Sequence, residues 1–227
     1  MKIVFGTRGS ALALAQTQHI ITKCAAYVPE LEAEIKIIKT TGDQLSQAPL
    51  SEIGGLGAFT REIEQALQSG RIDVAVHSLK DLPIEQPDGL HIAAIAGRQS
   101  PADVLISRAG HSLESLREGA SVGTSSLRRK VQLLLTRPSL HIGELRGNVP
   151  TRVAAAHEGR YDAVVIALAG LVRLGLDHEP GLYKIPLSQM LPAPGQGALA
   201  IEIRTGASTL SRLLKPLHDE NAATEVS

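Results

Sequence analysis

The chain has 227 residues, 43% hydrophobic and 20% charged, which is enough for one large or two small soluble domains with a substantial core. Lysine plus arginine equals aspartate plus glutamate at 23 each, and aromatic residues make up 2% with no Trp. This argues against a nucleic-acid-binding field or a base-stacking platform, so any anion binding must be local.

The single cysteine, Cys24, excludes an intramolecular disulfide framework. Met1–Gly6 is too short an apolar run for a signal peptide and no stretch approaches a membrane span, so a cytoplasmic protein without membrane contact is expected.

Short β-rich runs alternate with helical patterns, which predicts an α/β fold with mostly parallel strands. Strands are expected at Lys2–Gly6, Glu34–Lys39, Ile72–His77, His91–Ala94, Asp103–Ser107, Ser121–Gly123, Leu140–Gly143 and Ala163–Leu168, with a strand-like run at Ala198–Glu202. The first helix begins near Ser10, and Cys24 shares an apolar face with Ile21 and Leu14, so it reads as a small core residue.

Ile53–Phe59 is glycine-rich and runs into a helix, which marks a mobile lid or tight turn around Gly55, Gly57 and Phe59. It matches neither the Walker loop nor the dinucleotide pattern. The helix that follows sets Phe59, Ile63 and Leu67 on one face and Arg61, Glu62 and Glu64 on the other. Leu127, Val131, Leu134 and Leu135 form a similar face after the candidate cap Ser125–Ser126, and Asn148 with Pro150 opens the next helix. Gly97–Pro101 and Leu191–Gly197 read as linkers. Domain 1 is therefore expected over residues 1–96 plus 197–227, and domain 2 over 97–196, as two lobes joined by two strands around a cleft.

Arginines occur where a helix dipole disfavours them. A helix N-terminus carries roughly half a positive charge, so a cation there calls for an anion nearby. Yet Arg128 and Arg129 follow Thr124–Ser126, Arg152 lies in the first turn after Asn148 with Arg146 just before it, and Arg8 precedes the helix at Ser10. Singly, each is as readily a surface residue or an internal ion pair. Together the five point to a ligand with several carboxylates or phosphates at the strand-to-helix turns. Asp81, in Val76–Pro83, is the acid among these turns and suits charge stabilisation or proton transfer, while His77 on the same strand reads as structural. The eight histidines and Cys24 show no metal-ligand spacing, so no metal is expected.

Thr7–Ala13, Val76–Pro83, Gly123–Arg129, Leu145–Arg152, Ala169–Gly175 and Leu191–Ala198 resemble, in order and spacing, the hydroxymethylbilane synthase (porphobilinogen deaminase) family, over essentially the whole chain. The resemblance implies a two-lobed fold like the periplasmic binding proteins, with a double hinge and central cleft, usually a monomer. It implies a transferase of porphyrin and heme biosynthesis: four porphobilinogen units are joined head to tail with loss of ammonia, and the linear chain is released by water as hydroxymethylbilane. It assigns Asp81, Arg8, Arg146 and Arg152 to catalysis. Ser78, Lys80, Asp81, Thr124, Ser126, Arg128, Arg129 and Arg152 are assigned to the dipyrromethane cofactor, and Arg8, Ser10, Gln16, Arg146, Arg173 and Gln196 to porphobilinogen and the growing chain.

The family's primer-bearing cysteine belongs to a small third domain after the two lobes. With Ser227 as the last residue, that domain is expected to be absent, and the dipyrromethane to be held without a covalent bond or replaced by porphobilinogen itself. The alternatives are an inactive fragment of a longer enzyme and a non-catalytic binder of polycarboxylate pyrroles. Glu52 and Leu56 stand where the family usually has lysines.

Overall fold

The β-forming runs assemble into two five-stranded sheets. The computed structural model describes residues 1–44 and 57–227. Residue contacts divide the chain into two units, Met1–Gln99 with Ala198–Ser227, and Ser100–Gly197.

The first unit begins with β1 (Lys2–Thr7), α1 (Ala11–Tyr27), β2 (Glu32–Ile37), α2 (Thr41–Gln44), α3 (Arg61–Gln68), β3 (Val74–Ser78), a 3-10 turn (Leu79–Asp81) and β4 (Leu90–Arg98). The second unit holds β5 (Asp103–Ser107), β6 (Ser121–Gly123), α4 (Leu127–Thr136), β7 (His141–Gly143), α5 (Val149–His157), β8 (Ala163–Ala167), α6 (Leu168–Leu174) and β9 (Leu182–Lys184). The chain then re-enters the first unit with β10 (Ala198–Arg204), α7 (Ser208–Leu214) and α8 (Glu220–Val226).

Strand orders are β2-β1-β3-β10-β4 and β7-β6-β8-β5-β9. The pairings β1–β2, β1–β3, β6–β7 and β6–β8 are parallel. Those of β10 with β3 and β4, and of β5 with β8 and β9, are antiparallel. The expectation of mostly parallel strands is therefore corrected to an even mixture. Every antiparallel pair involves β5 or β10, the first strand after the chain passes from one unit to the other. No crossover helix precedes these two strands on their own sheet, so the rule that makes βαβ neighbours parallel does not bear on them.

The sheets are covered as their sequences demand. β8 is buried along its whole length, and so is β10 from Ala198 to Ile203. Ile20 and Cys24 of α1 pack on Ile3, Phe5, Val74 and Val76, while Ile63 and Leu67 of α3 meet Ile72 and Ala75 on the opposite face. Each such fully buried side chain contributes about 1.5–3 kcal/mol relative to exposure. Cys24 is the core residue its spacing suggested. Among the described residues no helix is long and apolar enough to cross a membrane.

Two helix faces differ from their apolar pattern. Glu64, expected on the polar side of α3, is 7% exposed. It stands at the edge of the buried arc of α3, on the far side of Leu67 from Ile63. On α4 the stripe is inverted: Leu127, Val131 and Leu135 are 74%, 56% and 81% exposed, and the buried residues are Arg129 and Leu133. The rotation is set by Arg129, whose guanidinium reaches inward to a buried acid.

Candidate active site

In the first unit, the C-terminal ends of β1 and β3 meet the starts of α1 and α3 around a small pocket lined by Arg8, Gln16, Phe59, Thr60, His77, Ser78 and Asp81. Ser10 caps α1, its Oγ accepting from the Ala13 N–H, so this hydroxyl serves the helix. Gln16 Nε2 donates to Ser78 Oγ at 2.9 Å and fixes the end of β3. Arg8 donates through Nε to Asp43 Oδ1 at 3.1 Å and lies over the Phe59 ring, 4.3 Å from its centroid. Burial would raise the Asp43 carboxyl, but Arg8 and Thr40 outweigh it and hold it below the usual carboxylate range.

The approach of Phe59 depends on Gly42, where a Cβ would come within 2.2 Å of the ring. Gly57, with φ +92, turns the chain into this segment. Gly55, Glu52 and Leu56 lie outside the described residues. Asp81 and Lys80 are exposed on the turn after β3. Among the described residues Asp81 has no ion pair.

The second unit carries the other arginines, and its centre is an acid that is not among the site residues expected from sequence. Asp103, at the first position of β5, is buried, with its side chain 0% exposed. Its Oδ2 accepts from Arg128 Nη2 at 2.7 Å, and its Oδ1 accepts from Arg129 Nη2 at 2.8 Å and from Gln196 Nε2 at 2.9 Å. Arg128 also donates to the Leu191 carbonyl, and Arg129 to that of Val165. Burial pushes the Asp103 carboxyl up, but Arg129 and Arg128 together pull it below the usual carboxylate range.

The anion demanded by two arginines at the start of α4 is thus internal. The available signal was a lone acid opening the apolar run Asp103–Ser107 just after a proline. Asp43 and Glu202 carry the same kind of signal, acids set beside or within otherwise uncharged stretches.

Thr124 is buried at the end of β6 and accepts from the Ser126 N–H, while Ser126 caps α4. Asn148 caps α5, and Arg152 Nε donates to the Gly147 carbonyl at 2.8 Å, tying down the loop that carries Arg146. Arg173, half-buried on α6, donates to the Gly197 carbonyl. Burial lowers its guanidinium to about 10, and among the described residues it has no carboxylate partner. A desolvated cation of this kind fits a ligand carboxylate.

The family model for the porphobilinogen deaminase dipyrromethane-cofactor-binding domain matches residues 3–212. The chain belongs to the porphobilinogen deaminase family. It is 50% identical over 216 residues to porphobilinogen deaminase of Thermus thermophilus, covering 95% of this chain and 70% of that protein. Identity to the Clostridioides difficile porphobilinogen deaminase is 45% over 227 residues, covering 100% of this chain and 75% of that protein.

The fold is also similar to that of an ancestral arginine-binding protein bound to arginine, with a TM-score of 0.53 at 17% identity over 99% of this chain and 96% of that one. It is similar as well to the BenM effector binding domain with benzoate, with a TM-score of 0.56 at 16% identity over 100% and 94%. These likenesses bear on the fold alone, an α/β fold of the two-lobed, periplasmic-binding-protein-like class.

Proposed function

We propose that the protein joins four porphobilinogen molecules head to tail, with release of ammonia at each addition, to give hydroxymethylbilane, acting in the cytoplasm as a monomer. The observation that carries this reading is the state of the acids near the sheet ends. Asp43 and Asp103 are consumed by arginines, whereas Asp81 stands exposed beside Arg8 and Ser78 without an ion pair among the described residues.

Asp81 therefore remains for chemistry on a ligand. Its carboxylate stabilises the positive charge on a pyrrole as ammonia departs and as the new carbon–carbon bond forms, and it accepts the proton that the attacking ring sheds.

Porphobilinogen carries an acetate and a propionate, so a growing chain accumulates carboxylates. We assign their capture to Arg8, whose fork is pre-oriented by Asp43 and Phe59, to Arg173 and to the Arg146–Arg152 loop. Arg128 and Arg129 act through Asp103, ordering the end of β6 and the start of α4 where Thr124 and Ser126 lie. The dipyrromethane, when bound, supplies the pyrrole to which the first unit is joined, and Ser78, Lys80, Thr124, Ser126 and Arg152 would hold it. Cys24 is not its anchor: burial pushes this thiol up to about 11, which keeps it protonated and unreactive at neutral pH.

Porphobilinogen consumption, with acidified product scanned for uroporphyrin, tests the reading. Asp81→Ala should lower kcat by about 10²–10⁴-fold while binding of a pyrrole polycarboxylate, measured by calorimetry, is retained. Unchanged turnover in that variant would remove Asp81 from the mechanism.

A further inference from the structure

Beneath the Asp81 pocket lies a polar cluster that neither packing nor the proposed chemistry uses. His77 is 5% exposed and is among the residues lining the pocket, yet its Nε2 sits 3.2 Å from Glu202 Oε2 of β10. Glu202 is 0% exposed, and its other oxygen, Oε1, is buried without a partner among the described residues. Glu64 of α3, also buried, has an unpartnered oxygen as well. Packing alone would not retain such a group, since apolar residues of similar volume replace buried ionic clusters at little or no cost. Glu202 lies opposite Ala75, on the sheet face that α3 covers and that His77 shares, so two buried carboxyls stand on one side with a single imidazole, and the three cannot all be charged and balanced.

We propose that Glu64, Glu202 and His77 form a buried triad in which Glu64 is the neutral acid, and that the triad makes His77 a positioning residue for the strand end that carries Ser78 and Asp81.

The charge count supports this assignment. One imidazole can balance at most one carboxylate, and the only ring contact among the described residues is to Glu202, so a charge on Glu64 would stand uncompensated. Burial raises the Glu64 carboxyl above its ordinary value, and nearby Glu202 raises it further against the opposing pull of Thr60, His77 and Arg61. The other charged groups facing this cluster are Arg61 of α3, which acts on Glu64, and Arg8 from the turn after β1 and Asp81 from the turn after β3, which share the pocket with His77. The mechanical link is short. His77 is the last buried residue of β3, Ser78 ends the strand, and the 3-10 turn that presents Asp81 follows at once. β10 clamps the same segment, with Ala200 opposite His77 and Leu199 opposite Ser78.

The positioning role rests on the proposed transferase reading; the protonation of Glu64 does not. Two measurements on the full chain separate them. Infrared spectra at neutral pH should show the carbonyl band of a protonated carboxylic acid that disappears in Glu64→Gln; a spectrum without that band overturns the triad. In turnover assays Glu64→Ala and His77→Asn should each lower kcat about tenfold with KM for porphobilinogen within about twofold, and Glu64→Gln, the neutral isostere, should recover most of what Glu64→Ala loses. Variants that lose thermal stability while keeping wild-type kcat would show His77 to be purely structural and overturn the positioning role. An inactive wild-type protein would refute the transferase reading alone, and the carboxyl band would still decide the triad.

Discussion

Asp103 shows how one buried acid determines what several cations do. Arg128, Arg129 and Gln196 all converge on its two oxygens, so the carboxylate is compensated only while that arrangement stands. Asp103→Asn leaves two guanidinium groups facing a neutral amide in a desolvated site, and breaking a buried pair in this way costs about 3–5 kcal/mol. The pH dependence follows from the direction of the shift. The folded carboxyl is held below its ordinary value, so the unfolded state binds the proton more readily. The contribution is fully present above the unfolded value of about 3.9 and is lost as pH falls through the lower folded value. Urea unfolding of wild type should weaken across that acid window, and Asp103→Asn should be flatter there. Parallel curves would mean that the pair contributes no pH-linked stability.

At the scale of the element, α4 reverses its own amphipathic pattern, and the reversal is measurable. Leu133 is 0% exposed and joins Leu105, Val122 and Val165 in the core, whereas Leu135, two residues on, is 81% exposed. Leu133→Ala should cost about 2–5 kcal/mol in thermal or urea unfolding, and Leu135→Ala no more than about 0.5 kcal/mol. The apolar periodicity alone ranks these two the other way. It fails because the helix rotation is decided by a pair of charges, Arg129 and Asp103, that lie 26 residues apart in sequence.

The same limit explains what else was legible. Strands such as Asp103–Ser107 and Ser121–Gly123 are readable to the residue, because β-rich runs bounded by turn residues carry their own signal. The three residues of β9, Leu182–Lys184, are too few to show a period. Caps at Ser126 and Asn148 are local chemistry and were visible. The partners of the arginines are tertiary and were not, apart from the demand for an anion that the helix dipole makes.

Over the whole molecule, the placement of β10 makes the two units unequal in what they need. The second unit draws all five strands of its sheet from Ser100–Gly197. The first is discontinuous: β10 arrives after the second unit is complete and takes a place between β3 and β4, pairing with both. It also supplies Leu199, Ile201 and Ile203 to the core built on β1 and α1. Without it nothing bridges β3 to β4, the hydrogen-bonding edges they turn toward it are left open, and those three buried side chains are lost at about 1.5–3 kcal/mol each, a large share of a typical domain's net stability. A chain spanning residues 1–197 should therefore fail to fold its first sheet. The segment 100–197 should give a dispersed amide spectrum and a cooperative melt on its own. Because these contacts join residues a hundred or more apart, the first unit closes only after loop-closure entropy is overcome across the entire second unit, and it should be the slower of the two to fold. Stopped-flow refolding with amide-exchange labelling checks that order. Protection in β1 and β3 that precedes protection in β8 would contradict it.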